Sequence, residues 1–317
     1  MSSAAAVPVV VDCDPGVDDA VALLLALASP ELDVRLVTVC GGNVGLGRTL
    51  ANARAVVGLA GRGGDVPVVA GSDRPFTGGP YGGAPHVHGA DGIGGVVLPD
   101  GPPAAPGVAA DAIRAALRDA PAGGLTLIGL GPATNLALAL ATEPALASRV
   151  REIALMTGAV GEGNWSPSAE FNAAMDPEAL ACLLALGCPV SLTTLDLTAD
   201  AVATPERLDA LRAAGPGGAC VRAACEIVAS VAPSARGRRQ AGPLLHDPCA
   251  VALVLDPTLA DWREVAVRAE GGDGPGRGRT HVDRLGRSGA APNARLAERL
   301  DADRFFALLA ERLARLP

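Results

Sequence analysis

Short, unbroken runs of apolar residues alternate along this chain with longer helix-like segments, and this alternation constrains the fold more than any other feature. The runs are rich in Val, Leu and Ile, which is typical of strands that are covered on both faces. A regular succession of strand and helix predicts an α/β fold with an open, mainly parallel, Rossmann-like sheet and helices on both faces. Because no internal repeat and no linker interrupt this pattern, we expect residues 1–317 to form a single domain.

The predicted elements indicate where a ligand would bind. Ligands of open α/β sheets bind beyond the carboxyl ends of the strands, so the residues that follow each strand are the candidates for function. The predicted strands are Val7–Val11, Val34–Val39, Leu125–Leu130, Ile153–Met156 and Val190–Thr194. The predicted helices are Val17–Ala28, Leu46–Leu59, one that begins at Pro132, and Asp176–Leu186. Two long Gly-rich loops, Ser72–Gly95 and Gly158–Ser168, are candidates for functional segments.

Four aspartates, Asp12, Asp14, Asp18 and Asp19, occupy eight consecutive positions between the first strand and the first helix. Capping of the helix and its dipole would account for one or two of them. Two carboxylates ~4 Å apart repel each other by roughly 4 kcal/mol at an effective dielectric constant of about 20. Four of them together therefore require a cation or protonation. Since all these ligand atoms are oxygens, the cluster predicts Ca²⁺ or Mg²⁺ rather than zinc.

Composition argues against several other classes of protein. All 26 basic residues are Arg, and the net charge is −8 without any basic run, so we expect no nucleic-acid partner. A phosphatase of the haloacid dehalogenase type also places Asp-x-Asp after its first strand, but it uses a Lys, and here Pro15 follows the pair. The absence of Lys also excludes a P-loop. Isolated cysteines, no signal peptide and no apolar run of ~20 residues predict a cytoplasmic protein without a membrane partner.

The stretch Gly163–Ala179 carries polar groups suited to a sugar. Asn164, Glu170 and Asn172 could hold vicinal hydroxyls, which both donate and accept hydrogen bonds. Glu170 and Asn172 are two positions apart, so their side chains would face the same way in an extended chain. The alternative is a loop that caps the helix beginning at Asp176.

Two further motifs follow predicted strands or precede helices. The strand that ends at Leu130 offers a backbone carbonyl to a cation. One alternative makes Asp247 the N-cap of a helix with Pro248 at its first position, which is good capping chemistry. That alternative does not explain His246, whose position beside a carboxylate suits a general acid. We interpret His281 as a structural residue of a late strand.

Taken together, these motifs resemble the inosine–uridine-preferring nucleoside hydrolases, over nearly the whole chain and in one consistent order. The resemblance rests on the stretches "DCDPGVDDA" at 12–20, "GGN" at 41–43, "VHGADG" at 87–92, "GLGPATN" at 129–135, "GNWSPSAEFNAAMDPEA" at 163–179, "HDPCAVA" at 246–252 and the tail that begins with "RTHVD" at 279.

The resemblance implies a Ca²⁺-dependent enzyme that hydrolyses the N-glycosidic bond of ribonucleosides through an oxocarbenium-like transition state. Its implied calcium ligands are Asp14, Asp19, Asp247 and the carbonyl of Leu130. Asp14 is also implied as the base that activates a calcium-bound water. Because family members are often dimers or tetramers, the resemblance implies a homodimer or homotetramer.

Substrate-side roles follow from the same resemblance. Asp18 and Asn172 are implied as partners of the ribose 2′ and 3′ hydroxyls, and Asn164 and Glu170 as partners on the 5′-hydroxyl side. Asn43 is implied as a catalytic residue near the metal. His246 is implied as the leaving-group acid, and His88 as a residue near the base. Asp12 is left with a supporting role.

The segment Cys225–Leu245 departs from the family pattern, because it lacks the aromatic residues that many members carry there. Base preference is therefore open, with Trp165, Phe76, Tyr81 and the stretch Arg236–Arg239 as candidate base contacts. Two alternatives to the hydrolase remain at this point. One is a non-catalytic protein that binds Ca²⁺ and a nucleoside, and the other is a divalent-metal phosphatase.

Overall fold

The strands of the described residues belong to one sheet. The computed structural model describes residues 5–231 and 241–317, and the structural statements that follow concern those residues. The stretch Arg236–Arg239, a candidate base contact, lies outside them. The strands are β1 Val7–Cys13, β2 Leu32–Val39, β3 Val68–Ala70, β4 Leu125–Gly129, β5 Val150–Met156, β6 Val190–Thr193, β7 Ala260–Ala269, β8 Thr280–Asp283 and β9 Ala294–Leu300.

The sheet is open and mainly parallel, as the sequence predicts. Its strand order is β3-β2-β1-β4-β5-β6-β9-β7-β8. Every neighbouring pair from β3 to β9 is parallel, whereas β7 runs antiparallel to β9, and β8 antiparallel to β7. The parallel part needs crossover connections, and helices supply them.

The helices of the described residues lie between and beyond these strands. They are α1 Val17–Ala28, α2 Leu46–Leu59, α3 Pro85–His88, α4 Ala109–Asp119, α5 Thr134–Thr142, α6 Phe171–Met175, α7 Pro177–Ala185, α8 Leu195–Thr198, α9 Pro205–Ala214, α10 Ala219–Ser230, α11 Asp247–Leu255 and α12 Ala302–Leu313, with short 3₁₀ helices at Pro144–Arg149 and Pro257–Leu259. No helix in the described part of the chain is long and apolar enough to cross a lipid bilayer.

Helices cover both faces of the sheet, which explains the unbroken apolar runs. In β1, Val9 and Val11 pack with α1, α11 and α12 on one face. Val10 points the other way and packs with α4, α5 and α7. All three valines are completely buried. Because successive side chains of a strand alternate between faces, a strand covered on both sides needs an apolar residue at every position.

The carboxyl ends of β1, β2, β4, β5 and β6 lie along one edge of the sheet, since these strands are parallel neighbours. β1 runs two residues further than predicted, to Cys13, and β4 ends at Gly129. The turns that follow these strands carry Asp14, Asn43 and Leu130. The fold therefore collects at one edge residues that lie more than a hundred positions apart in the sequence.

Candidate active site

The turn after β1 is built around Asp19. Gly16 occupies the N-cap position of α1, and the Asp19 side chain folds back from the first helical turn. Its Oδ1 accepts the backbone N–H of Asp14 at 3.1 Å, and its Oδ2 accepts that of Gly16 at 3.1 Å. Capping, which the sequence offered as one explanation of the cluster, is thus confirmed for Asp19.

Asn43, which follows β2, joins the two predicted metal ligands of this turn. Its backbone N–H donates to Asp14 Oδ2 at 2.7 Å. Its side-chain amide donates to the Asp14 carbonyl and to Asp19 Oδ2, both at 3.1 Å. A Cβ atom on Gly42 would lie 2.0 Å from Asp14 Oδ2, and one on Gly131 would lie 2.4 Å from Asp14 Oδ1. Glycine at these two positions therefore leaves room for the Asp14 carboxylate.

Asp247 completes an acidic group with Asp18 and Asp19. One carboxylate oxygen from each of the three lies within 4.8 Å of the others, and all three residues are buried. Asp247 is the first residue of α11, and its N-cap is His246. The alternative that Asp247 serves as the helix N-cap is therefore wrong. Asp14, a predicted ligand, is not part of this group of three, and Asp18, predicted to bind ribose, is.

The pKa values of these carboxylates respond to burial and to one another. Burial raises the pKa of Asp19 from 3.8 to about 7, with the charge of Asp18 as the second cause. Burial also raises the pKa values of Asp14 and Asp247 well above the usual range, and neighbouring aspartates add to both. No lysine or arginine stands among the causes of these shifts. Within the described chain, neither lysine nor arginine thus compensates the charges of Asp14, Asp19 and Asp247.

Two buried carboxylate oxygens of this region, Asp14 Oδ1 and Asp12 Oδ2, have no hydrogen-bond partner among the described residues. Such an arrangement costs free energy unless a ligand is bound, and Asp14 Oδ1 is the one that belongs to the turn with Asp19. Carboxylate and carbonyl oxygens suit a hard divalent cation such as Ca²⁺ or Mg²⁺. The donor set therefore fits a divalent cation.

Asp12 lies behind this site. It is buried at the carboxyl end of β1, and its Oδ1 accepts the Thr38 hydroxyl at 2.6 Å and the Asn135 amide at 2.9 Å. Burial raises its pKa to about 7. These contacts agree with the supporting role expected for Asp12, because they tie β1 to β2 and to the start of α5.

The stretch with Glu170 and Asn172 is helical rather than extended. Glu170 is the N-cap of α6, and its carboxylate accepts the backbone N–H groups of Gly158, Asn172 and Ala173 at 2.7–3.0 Å. The extended arrangement, in which both side chains would face the same way, is therefore not the one that forms. That Glu170 binds substrate stays a prediction, and capping already occupies both of its oxygens.

The side-chain amide of Asn172 lies at the carboxyl ends of β4 and β5. It donates to the carbonyls of Leu130 at 2.7 Å and Met156 at 3.0 Å. The Leu130 carbonyl, a predicted metal ligand, has a second lone pair that remains available to a cation. Asn164 lies against the start of α6, where its side-chain oxygen accepts the N–H of Phe171 at 2.8 Å.

Both predicted histidines lie against the turn that carries the aspartates. The backbone N–H of His246 donates to Asp18 Oδ2 at 3.3 Å, and its Nδ1 lies 2.7 Å from the hydroxyl of Thr198. His88 Nδ1 accepts the backbone N–H of Val17 at 3.1 Å. Burial lowers the pKa of His88. His281, as predicted, lies on a late strand, β8, where it pairs with Glu270.

Three of the candidate base contacts, Phe76, Tyr81 and Trp165, lie in the described residues, and the backbone N–H of Phe76 donates to Asp176 at 2.9 Å. The rings of Trp165 and Phe171 meet edge to face, with centroids 5.6 Å apart. Tyr81 donates its hydroxyl to Thr134 at 2.8 Å. Tyr81 and Trp165 line a cavity of about 390 Å³ together with Met175. A larger cavity of about 760 Å³ lies along β7 and β8, and none of the predicted site residues line it.

Sequence reasoning missed two polar residues that contact the site. Thr198, at the end of α8, holds the His246 ring, and Asn52, on α2, contacts the turn after Asp14. Thr198 is the last residue of α8 and Asn52 lies within α2, so neither residue directly follows a strand. Only the strand–helix rhythm, which places these helices near the carboxyl edge, could have suggested them.

Comparison with known proteins gives a consistent result. The family model of inosine-uridine preferring nucleoside hydrolases matches residues 9–307. The pyrimidine-specific ribonucleoside hydrolase RihA of Citrobacter koseri is 39% identical over 312 residues, covering 98% of each chain. Among solved structures, a purine-preferring ribonucleoside hydrolase from Gardnerella vaginalis superposes with a TM-score of 0.89 at 30% identity, covering 97% of this chain and 98% of that one. A plant nucleoside hydrolase gives a TM-score of 0.88 at 31% identity, with the same coverage.

Proposed function

The chain belongs to the inosine-uridine preferring nucleoside hydrolases, a family of enzymes that cleave N-glycosidic bonds, and from this premise we propose that it hydrolyses ribonucleosides to ribose and free base with Ca²⁺ as its cation. The observation that supports the proposal best is the buried acidic group of Asp18, Asp19 and Asp247 beside the unpartnered Oδ1 of Asp14. The membership argues against the phosphatase and against a protein that only binds.

Asp19, Asp247, Asp14 and the Leu130 carbonyl are the proposed ligands of Ca²⁺. When bound, this ion would supply positive charge that makes water more acidic and orients hydroxyl groups. Oxygen donors from three separate segments of the chain, the turn with Asp14 and Asp19, Leu130 and Asp247, support this choice of ion. Asp18 is the fourth carboxylate at this place, and we assign it to the ribose, where it would accept a hydrogen bond from the 2′-hydroxyl.

Asp14 is the proposed general base. Its Oδ2 is held by the N–H of Asn43 at 2.7 Å, whereas its Oδ1 has no partner. Oδ1 has two lone pairs, so we assign one of them to the cation and the other to the proton of the attacking water. Asn43 would keep the carboxylate in place, because its backbone N–H donates to Asp14 Oδ2 while its side-chain amide donates to the Asp14 carbonyl and to Asp19 Oδ2.

Asn172, Glu170 and Asn164 are the proposed residues along the ribose. Asn172 has its amide nitrogen engaged with two carbonyls, so its oxygen is the atom we assign to the 2′ and 3′ hydroxyls. Asn164 and Glu170 would act on the 5′-hydroxyl side. The Thr157 hydroxyl also donates to Glu170 Oε2 at 3.3 Å. We therefore assign this role to Oε1 of Glu170, which accepts a single N–H and keeps a second lone pair.

His246 and His88 are the proposed groups on the base side. The hydroxyl of Thr198 lies 2.7 Å from His246 Nδ1, which would fix the ring so that its other nitrogen could donate a proton to the leaving base. His88 would contact the base from the long loop. Protonation of the base on one side and water attack on the other are what an oxocarbenium-like transition state requires.

Beyond the site, we propose one domain for residues 1–317, a homodimer or homotetramer, and a location in the cytoplasm. One sheet with strands from both ends of the described chain supports the first proposal. The second rests on the family resemblance. Isolated free cysteines support the third. Sedimentation analysis of the purified protein tests the assembly.

A panel of nucleosides tests the activity. Purified, Ca²⁺-loaded protein should release reducing sugar from at least one of uridine, cytidine, inosine, adenosine and guanosine. We expect uridine and cytidine to give the highest kcat/KM, because relatives that are 38–39% identical are named pyrimidine-specific. A preference for inosine would overturn the base preference alone. No release of ribose from any member would overturn the proposed activity.

A further inference from the structure

The second half of the long loop lies directly on the turn after β1. We call residues 84–95 the lid segment; they include α3 and His88. The backbone N–H of Ala84 donates to the Asn43 carbonyl at 2.8 Å, and His88 Nδ1 accepts the N–H of Val17 at 3.1 Å. A Cβ atom on Gly16 would lie 2.6 Å from His88 Nδ1. The His88 ring therefore packs against the backbone of the turn that carries Asp14.

Asn52 connects this turn to the far end of the lid segment. It lies on α2 and is only 7% exposed. Its Nδ2 donates to the carbonyl of Pro15 at 3.0 Å and to the carbonyl of Asp91 at 2.8 Å. Pro15 directly follows Asp14, and Asp91 lies three residues after His88. One side-chain amide thus holds both segments at the same point.

Hydrogen bonds within the lid segment connect Asp91 to His88. The Asp91 carboxylate accepts the N–H groups of Ile93 at 3.2 Å and Gly95 at 2.9 Å. The N–H of Gly94 donates to the His88 carbonyl at 2.9 Å. These bonds close a compact turn between His88 and Gly95. A displacement of the Asp91 carbonyl must therefore also move His88.

Little space remains around the contact. Gly92 has a φ of +88°, and a Cβ atom there would lie 2.8 Å from Asn52 Nδ2 and 3.2 Å from the Pro15 carbonyl. The amide, the lid backbone and the turn are thus in close contact, which leaves one position for the lid segment when the Asn52 bonds are made.

We propose that Asn52 is a positioning residue that fastens the lid segment to the Asp14–Gly16 turn and so places His88 at the active site. The inference rests on the proposed function, because it requires that His88 contact the substrate. Without Asn52 the two carbonyls lose their donor, and His88 is held through fewer contacts. Small displacements of a group that meets the substrate are enough to reduce the rate.

A double-mutant cycle between Asn52 and His88 tests the proposal. We expect Asn52→Ala to lower kcat/KM for the best nucleoside by about 10-fold, chiefly through KM, because a loosened lid weakens substrate binding. His88→Ala should lower it further. If Asn52 acts through His88, the double variant is no worse than His88→Ala within about twofold. Losses that multiply in the double variant would overturn the proposal.

Thr49→Val is the matched control. Thr49 is buried on the same helix, and its hydroxyl donates to the Cys40 carbonyl at 2.8 Å, so the variant also removes a buried bond to the backbone. Among the described residues, Thr49 forms no hydrogen bond to the lid segment. The loss of activity in Thr49→Val should therefore multiply with that in His88→Ala. Hydrogen exchange of residues 84–95 should be faster in Asn52→Ala and unchanged in Thr49→Val; equal exchange in the two would contradict the assigned role.

Gly92→Ala disturbs the same contact from the side of the lid segment, and it can replace Asn52→Ala in the cycle if Asn52→Ala does not fold. Its added methyl group would meet Asn52 Nδ2, so its loss should also fail to multiply with that of His88→Ala. Multiplying losses would again overturn the proposal. An inactive wild-type protein would overturn the proposed function itself. An active wild type in which the Asn52 and His88 substitutions lower kcat/KM independently of each other would overturn only the role of Asn52.

Discussion

The two carboxylate oxygens of Asp14 have different surroundings. Oδ2 accepts the N–H of Asn43, and Oδ1 is buried without a partner. An amide in place of this carboxylate keeps the shape but cannot take a proton. We therefore predict that Asp14→Asn lowers kcat by about 10²–10⁴-fold, the range of a general base, while the protein stays folded. Steady-state kinetics with the best nucleoside, beside a thermal unfolding curve, measures both.

Asp209→Asn is the control for this prediction. Asp209 lies on the exposed side of α9, where it pairs with Arg212. Its removal should leave kcat within about twofold, because exposed ion pairs contribute little. An Asp14→Asn variant as active as Asp209→Asn would contradict the assignment of Asp14.

The raised pKa values of Asp12 and Asp19 allow a prediction of how the stability of the metal-free protein depends on pH. Burial raises the pKa of each from 3.8 to about 7, so the folded protein binds protons that the unfolded chain has lost. Stability from this source is complete below about pH 4 and disappears as pH rises through about 7. In EDTA, the free energy of unfolding should therefore fall between pH 5 and pH 8, as urea titrations at the two values would record.

Asp12→Asn tests the origin of this dependence. The amide oxygen can still accept from Thr38 and Asn135, but the group no longer titrates, so the fall with pH should be smaller than in the wild type. Saturating Ca²⁺ should oppose the fall, because the cation competes with protons for the acidic group. A metal-free protein that is more stable at pH 8 than at pH 5 would contradict this reading.

At the scale of single elements, local sequence predicted the first two helices closely. The bounds of α1 and α2 agree with the expected Val17–Ala28 and Leu46–Leu59, because glycine precedes each helix and the apolar pattern is continuous. The short helix α6 could not be predicted in this way. It has five residues, too few for a period, and it depends on a cap from Glu170.

Glu170 thus stabilises the helix α6, and we predict that its replacement lowers the stability of the protein measurably. In Glu170→Gln, an amide nitrogen would face backbone N–H groups that now donate to a carboxylate. We predict a loss of about 1–3 kcal/mol in the free energy of unfolding, together with a higher KM, because α6 carries Asn172. Urea denaturation and steady-state kinetics give the two values.

Glu178→Gln provides the comparison, since Glu178 lies on the neighbouring helix α7 and pairs with Arg277 near the surface. Its replacement should cost well under about 1 kcal/mol and leave KM unchanged. Equal effects of the two variants would show that Glu170 has no special place in the site.

At the scale of the whole molecule, the strand–helix rhythm predicted the parallel sheet and the edge that carries the site. It could not predict which side chains would pair across that edge. Asp12 and Asn135 are 123 positions apart, and Asn52 contacts Asp91 across 39 positions. Strand β9 also lies between β6 and β7, against chain order. Such pairings depend on the packing of the complete fold, and no local spacing encodes them.

The same limit applies to the metal ligands. Motifs identified Asp14, Asp19 and Asp247, but the structure gathers Asp18 with the last two and leaves Asp14 beside them. Asp18 and Asp19 lie in the first turn of α1, and Asp247 lies in the first turn of α11. Their grouping therefore depends on how the two helices pack, which no local spacing encodes.

Restoration of activity after metal removal tests the central claim most directly. The protein is stripped with EDTA, its metal content is measured, and release of ribose from the best nucleoside is followed before and after Ca²⁺ is added back. We predict a loss of at least about 100-fold in kcat on stripping and its recovery with Ca²⁺. Undiminished release of ribose by protein shown to contain no metal would contradict the account.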